Sequence, residues 1–306
     1  MRRFGVKYGS RVRPIILLFL LSLAASCTKA NDVCLVGEIH ITKGDAANRA
    51  KVSEIYYPGS DKEYVGLTQL IKGYLSEEIL RSLGYKVDDA ALEVEAKRID
   101  DNTKAPDTLK KIMAVYGGDR KGYIKTFVRV VYAERFLYNE VFLKSREIHK
   151  EQYQKADELL KASIKSPGRF KDIAASMGMG SQRLRLSIKD GMVHIEEGGV
   201  GRRGSAQAQG IEQAKRLIDA VSTIKPGEVY PEVIEWREGY QIIRYIKKTG
   251  EDHIIESSGL QKMDYDKWFW ERAAQIKVTI YDERLKDELL KEVDWTRKLN
   301  LNPNPA

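Results

Sequence analysis

The sequence predicts an α+β fold from three observations. Apolar residues recur at helical spacing in successive stretches between Leu67 and Tyr116, and the run Tyr123 to Ser166 contains neither Gly nor Pro. Further on, Pro226-Gly227 stops an amphipathic helix, and two apolar runs follow with Arg237-Glu238-Gly239 between them, the pattern of a β-hairpin.

The first residues read as an export signal. Residues 1 to 26 hold Arg2, Arg3, Lys7, Arg11 and Arg13 and no acidic residue; the apolar run Ile15 to Leu23 follows, then Ala24-Ala25-Ser26-Cys27. That run is too short to span a hydrocarbon core about 30 Å thick. These basic residues account for most of the formal charge of +8, so the remainder is close to balanced and carries no electrostatic footprint for nucleic acid. With 42% hydrophobic residues the chain can bury a core and divide into two or three lobes.

Val33 to Thr42 reads as a strand with a kink at Gly37, and Lys43-Gly44-Asp45 as turn and helix cap. Leu67, Leu70, Ile71, Tyr74, Leu75 and Ile79 form a helix ended by Leu83-Gly84. Val87-Asp88-Asp89 caps the next, with Leu92, Ala96 and Ile99 on one face, and Leu109, Ile112, Met113 and Tyr116 form a third stripe stopped by Gly117-Gly118. At about 1.5 Å per residue, Tyr123 to Ser166 as one helix would reach about 60 Å, with any bend falling near Lys144 to Glu151. Pro231 cannot donate to a ladder, which places the first hairpin strand at an edge or bulge. Asp264 caps a helix carrying Trp268, Phe269 and Trp270, Ile276 to Tyr281 alternates as a strand, and Asn300 to Ala306 is expected to fray.

Several of these stretches resemble known families. Ala24-Ala25-Ser26-Cys27 resembles a bacterial lipobox, which implies that Cys27 is lipidated and becomes the mature N-terminus; ordinary cleavage nearby, releasing a soluble periplasmic protein, is the alternative. Gly37-Glu38 and Ile41-Thr42, with the helix, Leu83-Gly84-Tyr85-Lys86-Val87-Asp88-Asp89, helix rhythm, resemble the arms of SurA- and PrsA-type chaperones. Ala156-Asp157-Glu158-Leu159-Leu160, Gly168-Arg169-Phe170-Lys171-Asp172-Ile173-Ala174, Gly198-Gly199-Val200-Gly201 and Gly239-Tyr240-Gln241-Ile242-Ile243 resemble a parvulin-type (PpiC-like) peptidyl-prolyl isomerase domain. The resemblance implies a signal segment over 1–27, a SurA-N-like helical domain over 28–150, a parvulin-like α+β domain inserted over 151–250, and a tail over 251–306 that folds back on the helical domain. The lone strands Val33 to Thr42 and Ile276 to Tyr281 then find partners in each other, since a single strand leaves its backbone groups unmet.

The parvulin resemblance fails at the chemistry. The family holds proline in an apolar cup among two histidines, a Cys or Asp, a Met and a Phe, and lowers a rotation barrier near 20 kcal/mol. Here the Met position falls on Gln213, the Phe position on Leu217 and one histidine on Gln241; the Cys or Asp position falls near Met177-Gly178, and the strand carrying the other histidine has no evident counterpart. Gln213, Leu217 and Gln241 are therefore either scaffold positions or the remnants of a weak isomerase site.

The function expected is that of an exported, lipid-anchored, ATP-independent chaperone holding unfolded or nascent exported proteins in the periplasm, the outer membrane being the expected anchor. A working prolyl isomerase and an adaptor with one envelope partner are the alternatives. Trp268, Phe269 and Trp270 cannot all face one core, so they either contact client segments or pack between lobes. No Gly-rich phosphate loop precedes a helix, so no nucleotide is expected. His40, His149, His194 and His253 stand isolated, so neither metal nor other cofactor is expected. With Cys27 lipidated, Cys34 stands alone as a small buried hydrophobe; a short Cys27–Cys34 disulfide is the alternative.

Overall fold

A computed structural model describes residues 31–102, 106–186, 193–197 and 207–301. The N-terminal segment with Cys27, the Gly198-Gly199-Val200-Gly201 turn and the side chain of Gln213 lie outside the described residues. The chain is α+β, with two small sheets among helices. It divides into two compact units, one running to Tyr138 and resuming at Trp268, the other spanning Asn139–Lys267.

The first unit begins with β1 (Asp32–Val36) and β2 (Ile39–Thr42). The stretch expected to be one kinked strand is a hairpin. Gly37 adopts φ 57°, the left-handed conformation a tight turn requires, and Val36 pairs with Ile39. Thr42 caps α1 (Lys43–Tyr56) through a reciprocal capping box with Asp45, at 3.1 Å in each direction. After α2 (Glu63–Ser82), Gly84 at φ 85° ends the helix, and Asp88 Oδ1 then accepts from the amide of Ala91 at 2.8 Å in α3 (Asp89–Asn102). Next comes α4 (Pro106–Val115), whose successors Gly117 and Gly118 have φ 60° and 79°.

The apolar stripes close on one another. Val52, Ala96, Ile112, Tyr116, Tyr123, Phe127 and Val128 form one buried cluster. Buried carboxylates are paired. Glu77 accepts bidentately from Arg129 at 2.7 and 2.5 Å, and Glu95 accepts from both Arg98 and Arg135.

The chain end completes this unit. Within it, β8 (Lys277–Ile280) pairs antiparallel with β1, and β9 (Asn300–Leu301) pairs parallel with β8, giving the order β2-β1-β8-β9. Asn300 and Leu301, expected to fray, are thus held by β8. Between these strands Asp282 caps α11 (Glu283–Glu292) with a 3.0 Å bond from the amide of Leu285.

The long helix expected over Tyr123 to Ser166 is interrupted. Helical chain runs through α5 (Arg120–Tyr123), a π-turn at Ile124–Val128, α6 (Arg129–Phe136) and a second π-turn at Leu137–Phe142. Helix resumes only at α7 (Lys150–Lys165), with His149 at its N-cap. The break persists because partners elsewhere satisfy the carbonyls it frees. The His149 ring donates to Phe142 O at 2.7 Å, and Lys262 Nζ donates to Leu143 O at 2.6 Å.

The second unit is a sheet between helical layers. It contains α8 (Phe170–Ser176), β3 (Ser181–Leu186), β4 (Val193–Glu197), α9 (Gln207–Ser222), β5 (Ile234–Glu235), β6 (Gly239–Thr249) and β7 (Asp252–Gln261), with sheet order β4-β3-β7-β6-β5. Alternation along β6 sends Tyr240 and Ile242 into a core with Leu159, Leu160 and Phe170 of α7 and α8, and Ile243 and Tyr245 into a core with Leu217 and Val221 of α9. The boundary expected at residue 250 is a correction. Gly250, at φ 64°, turns a hairpin, and β7 continues the same sheet to Gln261.

Gly66 of α2 sits where a Cβ would lie 2.1 Å from Ala46 O and 2.6 Å from Ala50 N of α1, both backbone atoms. Gly66→Ala is expected to lower the urea midpoint by the equivalent of about 2–3 kcal/mol. Gly168→Ala, with open space around it, is expected to leave the midpoint within about 0.5 kcal/mol.

Candidate functional site

Gln241 and Leu217, the two predicted positions whose side chains are described, lie on the α9 side of the five-stranded sheet. β6 carries Gln241 on the same face as Ile243 and Tyr245, and α9 lays Leu217 over that face, where it is fully buried. Leu217 is a core residue packed among Leu184, Leu186, Ile243 and Ile255, not the wall of an open cup.

Gln241 is 5% exposed, and each end of its amide has a partner. Trp236 Nε1 donates to Gln241 Oε1 at 2.6 Å, and Gln241 Nε2 donates to Ser257 Oγ at 2.5 Å. Trp236 precedes the β5–β6 turn and Ser257 lies on β7, so one side chain ties the turn region to a strand beyond the expected domain. The Arg216 guanidinium stacks 4.8 Å over the Trp236 ring and donates to Glu235 O at 2.9 Å. A buried amide must be satisfied to be tolerated, and this one is satisfied by the scaffold itself. Neither Trp236 nor Ser257 was singled out from sequence. Ser257 escaped because the strand was not recognised; the β-branched pair Ile254-Ile255 shortly after the turn residues Gly250-Glu251-Asp252 was the available signal.

Further along the same face His253 Nδ1 lies 3.0 Å from Tyr245 Oη. Burial, with Lys248 adding its charge, holds the His253 pKa below the usual histidine range. Met177, near the predicted Cys or Asp position, packs against the α7–α8 core, and Gly178 has φ 72°. A cavity of about 280 Å³ lies beside α9, lined by Arg216, Asp219, Thr223, Tyr230, Glu232 and Val233 among others. Its walls mix both charges.

Trp268, Phe269 and Trp270 of α10 (Tyr265–Ala273) do not offer three rings to a ligand. Trp268 and Phe269 are buried at 4% and 1% exposure, the packing alternative of the two expected for these rings. Trp270 is half-buried and stacks on Trp295 with centroids 4.8 Å apart and planes at 24°. A nine-residue helix presents consecutive side chains about 100° apart, so two rings reach the core and the third caps its rim.

Further aromatic contacts lie elsewhere in the first unit. Tyr132 and Phe136, four residues apart on α6, stack with centroids 5.5 Å apart, and Tyr85, 44% exposed, sets its ring 5.7 Å from Phe136 at 69°. The Arg135 guanidinium sits 5.9 Å from the Tyr132 ring. An exposed pair, Tyr56 and Tyr57, ends α1. The sequence signal for the ladder was the i, i+4 aromatic pair within the Gly- and Pro-free run, with Tyr85 directly after the helix-ending Gly84.

Cys34 is fully buried on β1, and burial pushes its thiol well above the usual cysteine range, so it is a packed hydrophobe without thiolate reactivity. Among the described residues no group of three or more His, Cys, Asp or Glu is placed to hold a metal ion, and no helix is long and apolar enough to cross a membrane. No protein-family model and no curated protein matches the chain.

Replacing Gln241 by Leu leaves the Trp236 indole N–H and the Ser257 hydroxyl without their partner. The expected cost is about 1–3 kcal/mol in chemical denaturation, accompanied by a shift in Trp fluorescence.

Proposed function

We propose that this chain is an exported, lipid-anchored, ATP-independent chaperone of the SurA and PrsA kind, whose sheet-bearing unit is a parvulin-like lobe without isomerase chemistry. The observation that carries the reading is topological. β1, near the chain start, and β8, near its end, pair in one mainly helical unit, while Asn139–Lys267 forms a second unit inserted between them. Helix order around an antiparallel sheet, α7 and α8 on one face and α9 on the other, supports a parvulin-like lobe.

The non-catalytic reading rests on Gln241 and Leu217. One is held at both amide ends and the other fills a core, so neither is available to a bound proline. Client holding is assigned to the exposed rings of Tyr56, Tyr57 and Tyr85, which bind apolar or aromatic segments of unfolded chain at little conformational cost. Cys27 anchors the protein to the membrane, the outer membrane by preference.

Purified protein is expected to suppress aggregation of a denatured, reduced client without ATP. Tyr56→Ala with Tyr57→Ala is expected to weaken client binding about tenfold to a hundredfold, near 0.7–1.4 kcal/mol per ring, without moving the unfolding midpoint by more than about 1 kcal/mol. In a prolyl-peptide assay turnover is expected at background. Turnover well above it that Leu217→Ala and Gln241→Ala abolish would overturn the reading in favour of an isomerase. The mass of the mature N-terminus tests Cys27 lipidation directly.

A further inference from the structure

His149 occupies an unusual place. It is fully buried, and it bridges the two segments by which the chain enters and leaves the sheet-bearing unit. On the entry side its Nε2 lies 2.7 Å from Phe142 O; on the exit side its Nδ1 lies 3.3 Å from the amide nitrogen of Met263. A carbonyl only accepts and an amide N–H only donates, so the ring is neutral, with its proton on Nε2 and a lone pair on Nδ1. The Phe142 ring packs edge-on against the imidazole at 4.7 Å and against Tyr265 at 5.1 Å, which excludes water from the contact.

A second link runs the opposite way. Lys262, on the exit segment, donates to Leu143 O at 2.6 Å and pairs with Glu235 at 2.9 Å. The charged groups facing His149 are therefore Lys262, which disfavours a proton on the ring, and Glu235, which favours one and is shared with Arg146 at 3.7 Å. Glu147 and Lys150, its near neighbours in sequence, pair with each other at 3.8 Å.

We propose that His149 is a pH-operated clasp between the entry and exit segments, closed while the imidazole is neutral and opened by its protonation. A second proton must go on Nδ1. That turns the acceptor facing the Met263 N–H into a donor, so two N–H groups oppose each other and the exit side is released. The proton also places a cation beside the Lys262 ammonium. Burial is the main reason the ring resists this charge. The closed form, with its depressed affinity for protons, is fully favoured above the pKa of an opened histidine, about 6.5, and loses that advantage as pH falls below it. For a protein exported to a compartment open to external pH, the range in which the clasp works is one it would meet.

Amide exchange in the full-length protein tests the proposal. With observed rates divided by the intrinsic rate at each pH, protection at Met263 is expected to fall about tenfold between pH 7.5 and 5.5, while β1 and β8 keep theirs. His149→Phe, which fills the space but neither bonds nor titrates, is expected to show low protection at Met263 that does not change with pH. Should that variant fail to fold, the wild-type imidazole decides by nitrogen chemical shifts, with an Nε2–H tautomer expected at pH 7.5 and titration only below 6.5. Protection at Met263 that stays flat with pH, a loss shared equally by β1 and β8, or an Nδ1–H tautomer would each overturn it.

Discussion

A strand removed from water must find partners for its backbone groups on both sides or lie at an edge, and this requirement organises the chain. β1 meets β2 through a local turn, but its other side is satisfied only by β8, nearly the whole chain away. The amide of Gly37 reaches Lys277 O at 2.9 Å, and the amide of Tyr281 reaches Val33 O at 2.9 Å, so the ladder extends past both ends of the paired register. Once the two ends must meet, everything between them is held inside a closed loop. Because the entropy of loop closure grows only slowly with length, inserting a whole second unit costs little more than a short connection. The demand falls on kinetics instead, since the pairing that completes the first unit is among the most non-local contacts in the chain.

The second unit shows how a buried polar group can be kept for structure. A glutamine buried beneath a helix is destabilising unless both amide ends are met, and Trp236 and Ser257 meet them. Those two bonds stitch the turn region before β6 to β7, and the Arg216 stack on Trp236 extends the stitch to α9. That saturation leaves neither end of the Gln241 amide unpaired.

The interrupted helix follows the same rule. Nothing in Leu143 to His149 forbids helix; the segment lacks Gly and Pro. What stabilises the break is that the carbonyls of Phe142 and Leu143 find a ring nitrogen and an ammonium, one of them contributed by Lys262 far along the chain. With partners of that quality, leaving the helix costs little.

By itself the sequence determined the class of many local elements. Helical stripes, the Gly84 and Gly117-Gly118 stops, the Asp88 and Asp264 caps and the β5–β6 turn are written in neighbouring residues, because capping and periodicity act within a few positions. The need for Val33 to Thr42 to find a distant partner was legible too, since it follows from backbone groups every residue carries. Only tertiary structure decided the rest. It folded the Gly37 kink into a hairpin, broke the long helix at His149, and carried the sheet past Gly250 into β7. It also spent Trp268 and Phe269 on packing while leaving Tyr85 exposed beside Phe136. Each outcome depends on a group from another part of the chain, whether a hydrogen-bond partner, a covering helix or its absence, and no local pattern encodes which distant residue arrives.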